Sequence, residues 1–242
     1  MAFSNPTNNY HLISEYYDLL ADVWSAGSIH KANSYVINKS HSYRRLLIIG
    51  PGTCRGFHKL PQDNSHIYLI DNSPEMLEKS HEELKDFDPA RLKISIQDFR
   101  NHVPEEKYDF IWFPFLLNVF KPKEVITILN MSKSWLSPFG RVYISDFADP
   151  DSTQLVSRGL QQAWHGIPMI FFHLVTGNAW HSIHHMEKLI DDSNLELEGI
   201  NLAVNLEEKA SLLFAKIIIF LTPSFKLSIG AVYPSTIDGI TV

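Results

Sequence analysis

Short apolar runs alternate along the chain with stretches whose apolar residues recur at helical spacing. Arg45–Ile49 (RLLII), Ile67–Ile70 (IYLI), Leu92–Ile96, Tyr108–Phe113 (YDFIWF) and Arg141–Phe147 (RVYISDF) are rich in β-branched and aromatic residues and are bounded by turn residues. Such runs predict strands buried on both faces. The last is preceded by Ser137-Pro138-Phe139-Gly140, which reads as a turn. Ser73-Pro74-Glu75 opens a helix: Ser73 can cap it, Pro74 suits its first position, and Glu75 suits the positive end of its dipole. Met76, Leu77, Ser80 and Leu84 then follow at helical spacing, and 123–136 carries a second such stripe. Strands alternating with helices predict a doubly wound, mostly parallel sheet covered on both sides.

Beyond Asp149 the rhythm changes. The stretch 150–186 reads as two helices, and His184–Ser193 as a further one. Leu195–Leu202 and Leu212–Leu221 read as two more strands, and their short separation favours an antiparallel edge hairpin. The expected architecture is one α/β domain over 1–242 with seven strands. A helical extension occupies 1–42, the core 43–149, a helical insert 150–194, the hairpin 195–222 and an irregular tail 223–242. No internal repeat and no Pro/Gly/Ser-rich linker divides it.

Composition narrows the classes. With 45% apolar and 20% charged residues among 242, the chain matches globular averages, which excludes disordered, collagen-like and coiled-coil proteins. A net charge of −6 argues against a general nucleic-acid binder. The single cysteine, Cys54, cannot form an intrachain disulfide and favours a reducing compartment. The N-terminus lacks the basic start and apolar run of a secretory signal. The longest apolar stretch, near 211–221, is interrupted by Lys216 and is too short to cross a bilayer. A cytoplasmic protein with a small-molecule substrate, and neither nucleic acid nor membrane as partner, is expected; a homodimer is compatible with this reading.

The segment richest in chemistry is RLLIIGPGTCRG, where a buried strand runs directly into Gly50-Pro51-Gly52-Thr53. In a doubly wound sheet this first strand-to-helix turn lies at the switch point, where ligands bind. Glycine there lets the backbone turn tightly and approach a ligand closely. Alone, a glycine pair after a strand is as readily an ordinary turn. Asp71 adds weight: it ends the next strand, 21 residues after Gly50, where an acid accepts from both hydroxyls of an adenosine ribose. Its structural alternative is a helix cap, a role for which Ser73 competes. Asp98, just after the third strand and followed by Phe99, can accept from an adenine amino group while the ring packs on the base; alone it would read as a solvated loop acid.

These residues resemble class I S-adenosylmethionine-dependent methyltransferases of the small-molecule type. The resemblance runs in order through LLIIGPGT, YLIDNSPEMLEKS, ISIQDF, YDFIWFPFLLNVF and LSPFGRVYISDF, and the N-terminal EYYDLLADVW is similar to an entry helix of that family. It implies a Rossmann-like fold and S-adenosyl-L-methionine as cofactor. It also implies that Gly50, Pro51 and Gly52 approach the methionine part and that Asp71 holds the ribose, with Asn72 and Met76 nearby. Asp98 and Phe99 would meet the adenine, Phe113 and Pro114 would line the wall near the sulfonium, and Tyr17 would close over the cofactor. Two positions depart from the family pattern. Ile48 stands where many members carry an acid that assists the cofactor's amino group, and Cys54 stands where a third glycine is common.

Methyl transfer needs a base only when the nucleophile must lose a proton early. Candidates lie in the insert, where His165, His173, His181, His184 and His185 are interleaved with Trp164, Phe171, Phe172 and Trp180. His181 and His165 are the expected catalytic pair, against the plain alternative of a half-buried helix pair. His181 and His185 have metal-ligand spacing, but no H-E-x-x-H pattern or cysteine pair accompanies them, so no metal is expected. Trp112-Phe113-Pro114-Phe115 lacks the acid or amide that enzymes methylating base or amide nitrogens often place before the proline. A nicotinamide-dependent oxidoreductase is a second reading, weakened by a glycine spacing of G-x-G-x-x-x-G. A non-catalytic cofactor-binding protein of the same fold is a third, motivated by Ile48.

Overall fold

The computed structural model describes residues 18, 25, 27–147, 184–193, 195–202 and 216–223. Five strands are parallel: β1 (Arg45–Ile49), β2 (His66–Asp71), β3 (Leu92–Ile96), β4 (Tyr108–Pro114) and β5 (Leu136–Phe147), in the order β3-β2-β1-β4-β5. The two remaining strands are β6 (Leu195–Leu202) and β7 (Lys216–Pro223). The latter pairs antiparallel with both β5 and β6. The strand order reverses at β1, which has β2 on one side and β4 on the other. Connections leaving β1 and β4 therefore part in opposite directions and leave a crevice at their carboxyl ends.

Period-two alternation sends successive side chains to opposite faces. Leu47, Ile49, Ile111, Phe113, Val142 and Ile144 pack beneath α4 (Pro122–Trp135) and α5 (Met186–Asp191). Leu46, Ile48, Ile67, Leu69, Phe110 and Trp112 pack on the other face with α1 (Ser28–Ser40). The fully buried Trp112 stacks on Phe57 at 5.4 Å and donates its indole N–H to Ser145 Oγ at 3.0 Å, so its one polar group is satisfied. Two short helices, α2 (Pro74–Lys79) and α3 (His81–Leu84), follow β2. Ser73 caps α2 by accepting from the Met76 N–H, and Pro74 takes the first helical position.

Two boundaries differ from the sequence reading. Ser137–Gly140 lies within β5: Tyr108 faces Leu136 and Phe110 faces Arg141, so these four residues loop out of an otherwise continuous ladder. The final strand starts at Lys216 and extends through Pro223, past the expected end at Leu221; residues 212–215 lie outside the described ones. The same holds for the expected helices in 150–183 and for most of the first 26 residues. Among the described residues, no helix is long and apolar enough to cross a membrane.

Candidate functional site

At the carboxyl end of β1 the chain bends through two left-handed glycines, Gly50 (φ +68°) and Gly52 (φ +61°). L side chains rarely adopt this region, so glycine is needed on conformational grounds alone. Their surroundings differ. A Cβ on Gly50 would lie 2.8 Å from Leu116 Cδ1, whereas one on Gly52 would meet nothing within 4 Å among the described residues. Gly50 thus lets the β4 connection pack against the bend, and no described residue crowds the backbone at Gly52. The Gly50 N–H is secured by the Ile70 carbonyl at 2.8 Å.

Asp71 closes β2 beside this bend and is nearly buried. Its Oδ2 accepts from the Gly52 N–H at 3.1 Å and its Oδ1 from the Ser73 N–H at 2.9 Å. The carboxylate therefore ties the glycine bend to the second strand, a role the sequence did not disclose, while Ser73 does the capping. Burial pushes the Asp71 carboxyl above the usual range, against the opposing effect of the Ser73, Gly52 and Asn72 N–H groups. A carboxylate offers about four acceptor positions, so further donors can still be received.

The cleft at the bend is lined by Asp18, His30, Asn33, Thr53, Pro114 and Phe115 together with Gly50, Pro51 and Gly52. Thr53 Oγ1 donates to Asp18 Oδ1 at 2.8 Å, bringing the N-terminal segment to the glycine bend. Asn33 Oδ1 is buried and has no hydrogen-bond partner among the described residues. His30 and Asn33 come from α1, and nothing in their local sequence marked them; only the packing of α1 over the bend brings them there. Phe113 has no exposed surface and belongs to the core, so on the β4 side the wall is formed by Pro114 and Phe115. Phe113 shares a sheet face with Ile111, and that face is covered by α4 and α5.

Asp98 follows β3 and is held by Arg100. The Arg100 N–H donates to its Oδ1 at 2.9 Å, Nε reaches both oxygens at 2.8 Å, and Nη2 bonds Oδ2. The Phe99 ring is buried edge-on against Phe113 and Phe120. Met76 is also buried, in the first turn of α2. Burial by itself would raise the Asp98 carboxyl, but the Arg100 side chain, N–H and charge together hold it below the usual range. The folded state then binds this proton less readily than the unfolded one. The pair contributes stability above the ordinary Asp value of about 4, and that contribution is lost as pH falls through the depressed folded value. Asp98→Asn is expected to flatten the acid limb of a Tm-against-pH curve; an unchanged limb would contradict this.

Of the expected site residues, Tyr17, His165 and His181 lie outside the described residues. His184 is buried, and its Nε2–H donates to the Phe120 carbonyl at 2.9 Å, which occupies it structurally. Burial pushes the Cys54 thiol far up, which makes it a poor nucleophile. Among the described residues, no group of three or more His, Cys, Asp or Glu is placed to hold a metal ion.

A doubly wound sheet with a glycine bend and a strand-two carboxylate at its switch point has the crevice where open α/β sheets bind their ligands. Residues 46–140 match the family model described as a methyltransferase domain. Three solved structures share the fold. The mitomycin 7-O-methyltransferase MmcR has 14% identity and a TM-score of 0.59, with 90% of this chain and 61% of that one covered. DhpI in complex with SAH has 12% identity and a TM-score of 0.60, over 88% and 93%. Magnesium protoporphyrin IX methyltransferase (ChlM) from Synechocystis PCC 6803 with bound SAH has 15% identity and a TM-score of 0.57, over 82% and 84%. The chain spans less than two thirds of the mitomycin enzyme's length. No curated protein sequence matches it.

Proposed function

We propose that the protein is an S-adenosyl-L-methionine-dependent methyltransferase that methylates an O, N or C atom of a small, partly apolar metabolite. The observation that carries this reading is the buried Asp71 carboxylate beside the open backbone at Gly52. The residues present fit the cofactor. Asp71, with Asn72 beside it, would take the ribose hydroxyls. Gly50, Pro51 and Gly52 would admit the methionine part. Ile48 is buried in the core, so the ammonium end would be met by Asp18 and Asn33 from the cleft wall. The Asp98–Arg100 pair and the edge of Phe99 would bound the adenine, and Tyr17 would close over the cofactor.

The cofactor supplies a methyl group on positively charged sulfur, which is already a good leaving group. What the chain contributes is alignment of the acceptor with that carbon and exclusion of water. Pro114 and Phe115 would form the apolar wall that does both. In the proposed architecture, a seven-stranded domain carries a cap at 1–42, a substrate lid at 150–194 and an edge hairpin at 195–222. The lid's His165 and His181 are the candidates for removing a proton where the acceptor carries one. The mitomycin and protoporphyrin methyltransferases named above support a small-molecule substrate. We further propose that the protein is cytoplasmic and works without nucleic acid or membrane.

Calorimetry with S-adenosylhomocysteine tests the reading, with NADH as comparator in a thermal-shift assay. The expected result is saturable binding of the homocysteine compound and no response to NADH. Absence of binding would overturn the reading. Tight binding without methyl transfer to a broad metabolite panel would favour a non-catalytic cofactor-binding protein.

A further inference from the structure

Phe115 leaves the end of β4 with φ +53°, a left-handed conformation that a bulky L residue keeps only where its surroundings impose it. Three hydrogen bonds hold this turn. The Phe115 N–H donates to the Ser145 carbonyl at 2.7 Å. Asn118 Nδ2 donates to the Phe115 carbonyl at 3.1 Å and to Asp146 Oδ1 at 2.9 Å. Because one nitrogen meets two acceptors, the partners themselves fix the orientation of this amide. Asp146 is 3% exposed and sits next to last in β5, so a buried carboxylate anchors the amide from the neighbouring strand.

The turn so held faces the cleft. Pro114 and Phe115 line it, and Leu116 fills the space where a Cβ on Gly50 would be. A change in the Phe115 backbone therefore moves the wall and its seat against the glycine bend together. We propose that Asn118 and Asp146 form a latch that imposes the left-handed turn at Phe115 and so positions the β4 wall of the cleft for ligand binding and methyl transfer. Both are positioning residues acting through Phe115. The ligand side of this inference rests on the functional reading above; the latch geometry does not.

A double-mutant cycle tests it. Full-length wild type, Asn118→Ala, Phe115→Gly and the double variant are titrated with S-adenosylhomocysteine, and the Tm of each is measured without ligand. Asn118→Ala is expected to weaken binding about tenfold, the effect of losing the amide's two hydrogen bonds. In the Phe115→Gly background the same change is expected to cost little, because glycine adopts this conformation without help. Asp146→Leu should behave as Asn118→Ala does, and Asp146→Asn, which keeps an acceptor oxygen, should recover most of the affinity. Wild-type affinity in Asn118→Ala, or an equal loss in both backgrounds, would overturn the latch. If wild type itself binds no S-adenosylhomocysteine, the functional reading falls and the Tm cycle judges the latch. Non-additive Tm losses from Asn118→Ala and Phe115→Gly would then support it, and additive losses would refute it.

Discussion

Asp71→Ala is expected to weaken S-adenosylhomocysteine binding by at least about a hundredfold while leaving the protein folded. Hydrogen bonds to a charged group are worth roughly 1.5–3 kcal/mol each, and the proposed ribose contacts would involve two hydroxyls. The substitution also frees the Gly52 and Ser73 N–H groups from their shared acceptor, so the bend loses its tie to β2. Effects on the fold partly offset each other. Burial makes the charged carboxylate costly, and a carboxyl raised on folding reduces stability as pH rises through its folded value. Alanine removes that cost and leaves two N–H groups unpaired. Calorimetry alongside a melting curve separates the two effects. A variant that binds as wild type does would remove Asp71 from the site, and a variant that fails to fold would show that its role is chiefly structural.

The second large effect is expected at Gly52. Gly52→Ala places a methyl group where none of the described residues lies within 4 Å, on the face of the bend assigned to the ligand. The left-handed backbone costs an alanine roughly 1–2 kcal/mol, about 2–8 °C in Tm for a chain of this size. Displacing a ligand from its productive position costs on the order of a hundredfold in rate. Affinity should therefore fall and methyl transfer collapse with only a modest fall in Tm. Gly50→Ala provides the contrast, because its methyl group would meet Leu116 and disturb the packing of the β4 turn. If Gly52→Ala keeps full affinity, the ligand does not approach the bend from that side.

The parts of this protein that were legible in the sequence are those fixed by local pattern. Apolar runs such as RLLII and IYLI, rich in β-branched or aromatic residues and bounded by turn residues, read as buried strands, and Ser73-Pro74-Glu75 carries its helix start in three residues. The register of the chain also placed Asp71 at the end of β2, next to the glycine bend. What was not legible depended on which face a residue takes or on contacts made through space. Phe113 was expected to line the wall near the sulfonium, yet packing beneath α4 leaves it no exposed surface. Ser137–Gly140 has turn chemistry, but the neighbouring ladder resumes beyond it and makes it an excursion within β5. Asn33 and His30 reach the cleft only because α1 crosses the bend, and Asn118 meets Asp146 across 28 residues of chain. No short motif encodes such meetings.

The crystal structure of the full chain grown with S-adenosylhomocysteine tests the central claim most directly. The account requires both ribose hydroxyls to lie within hydrogen-bonding distance of the Asp71 carboxylate, with the homocysteine carbons over Gly52. A nucleoside bound elsewhere on the sheet, or an Asp71 side chain turned from the sugar, would contradict it.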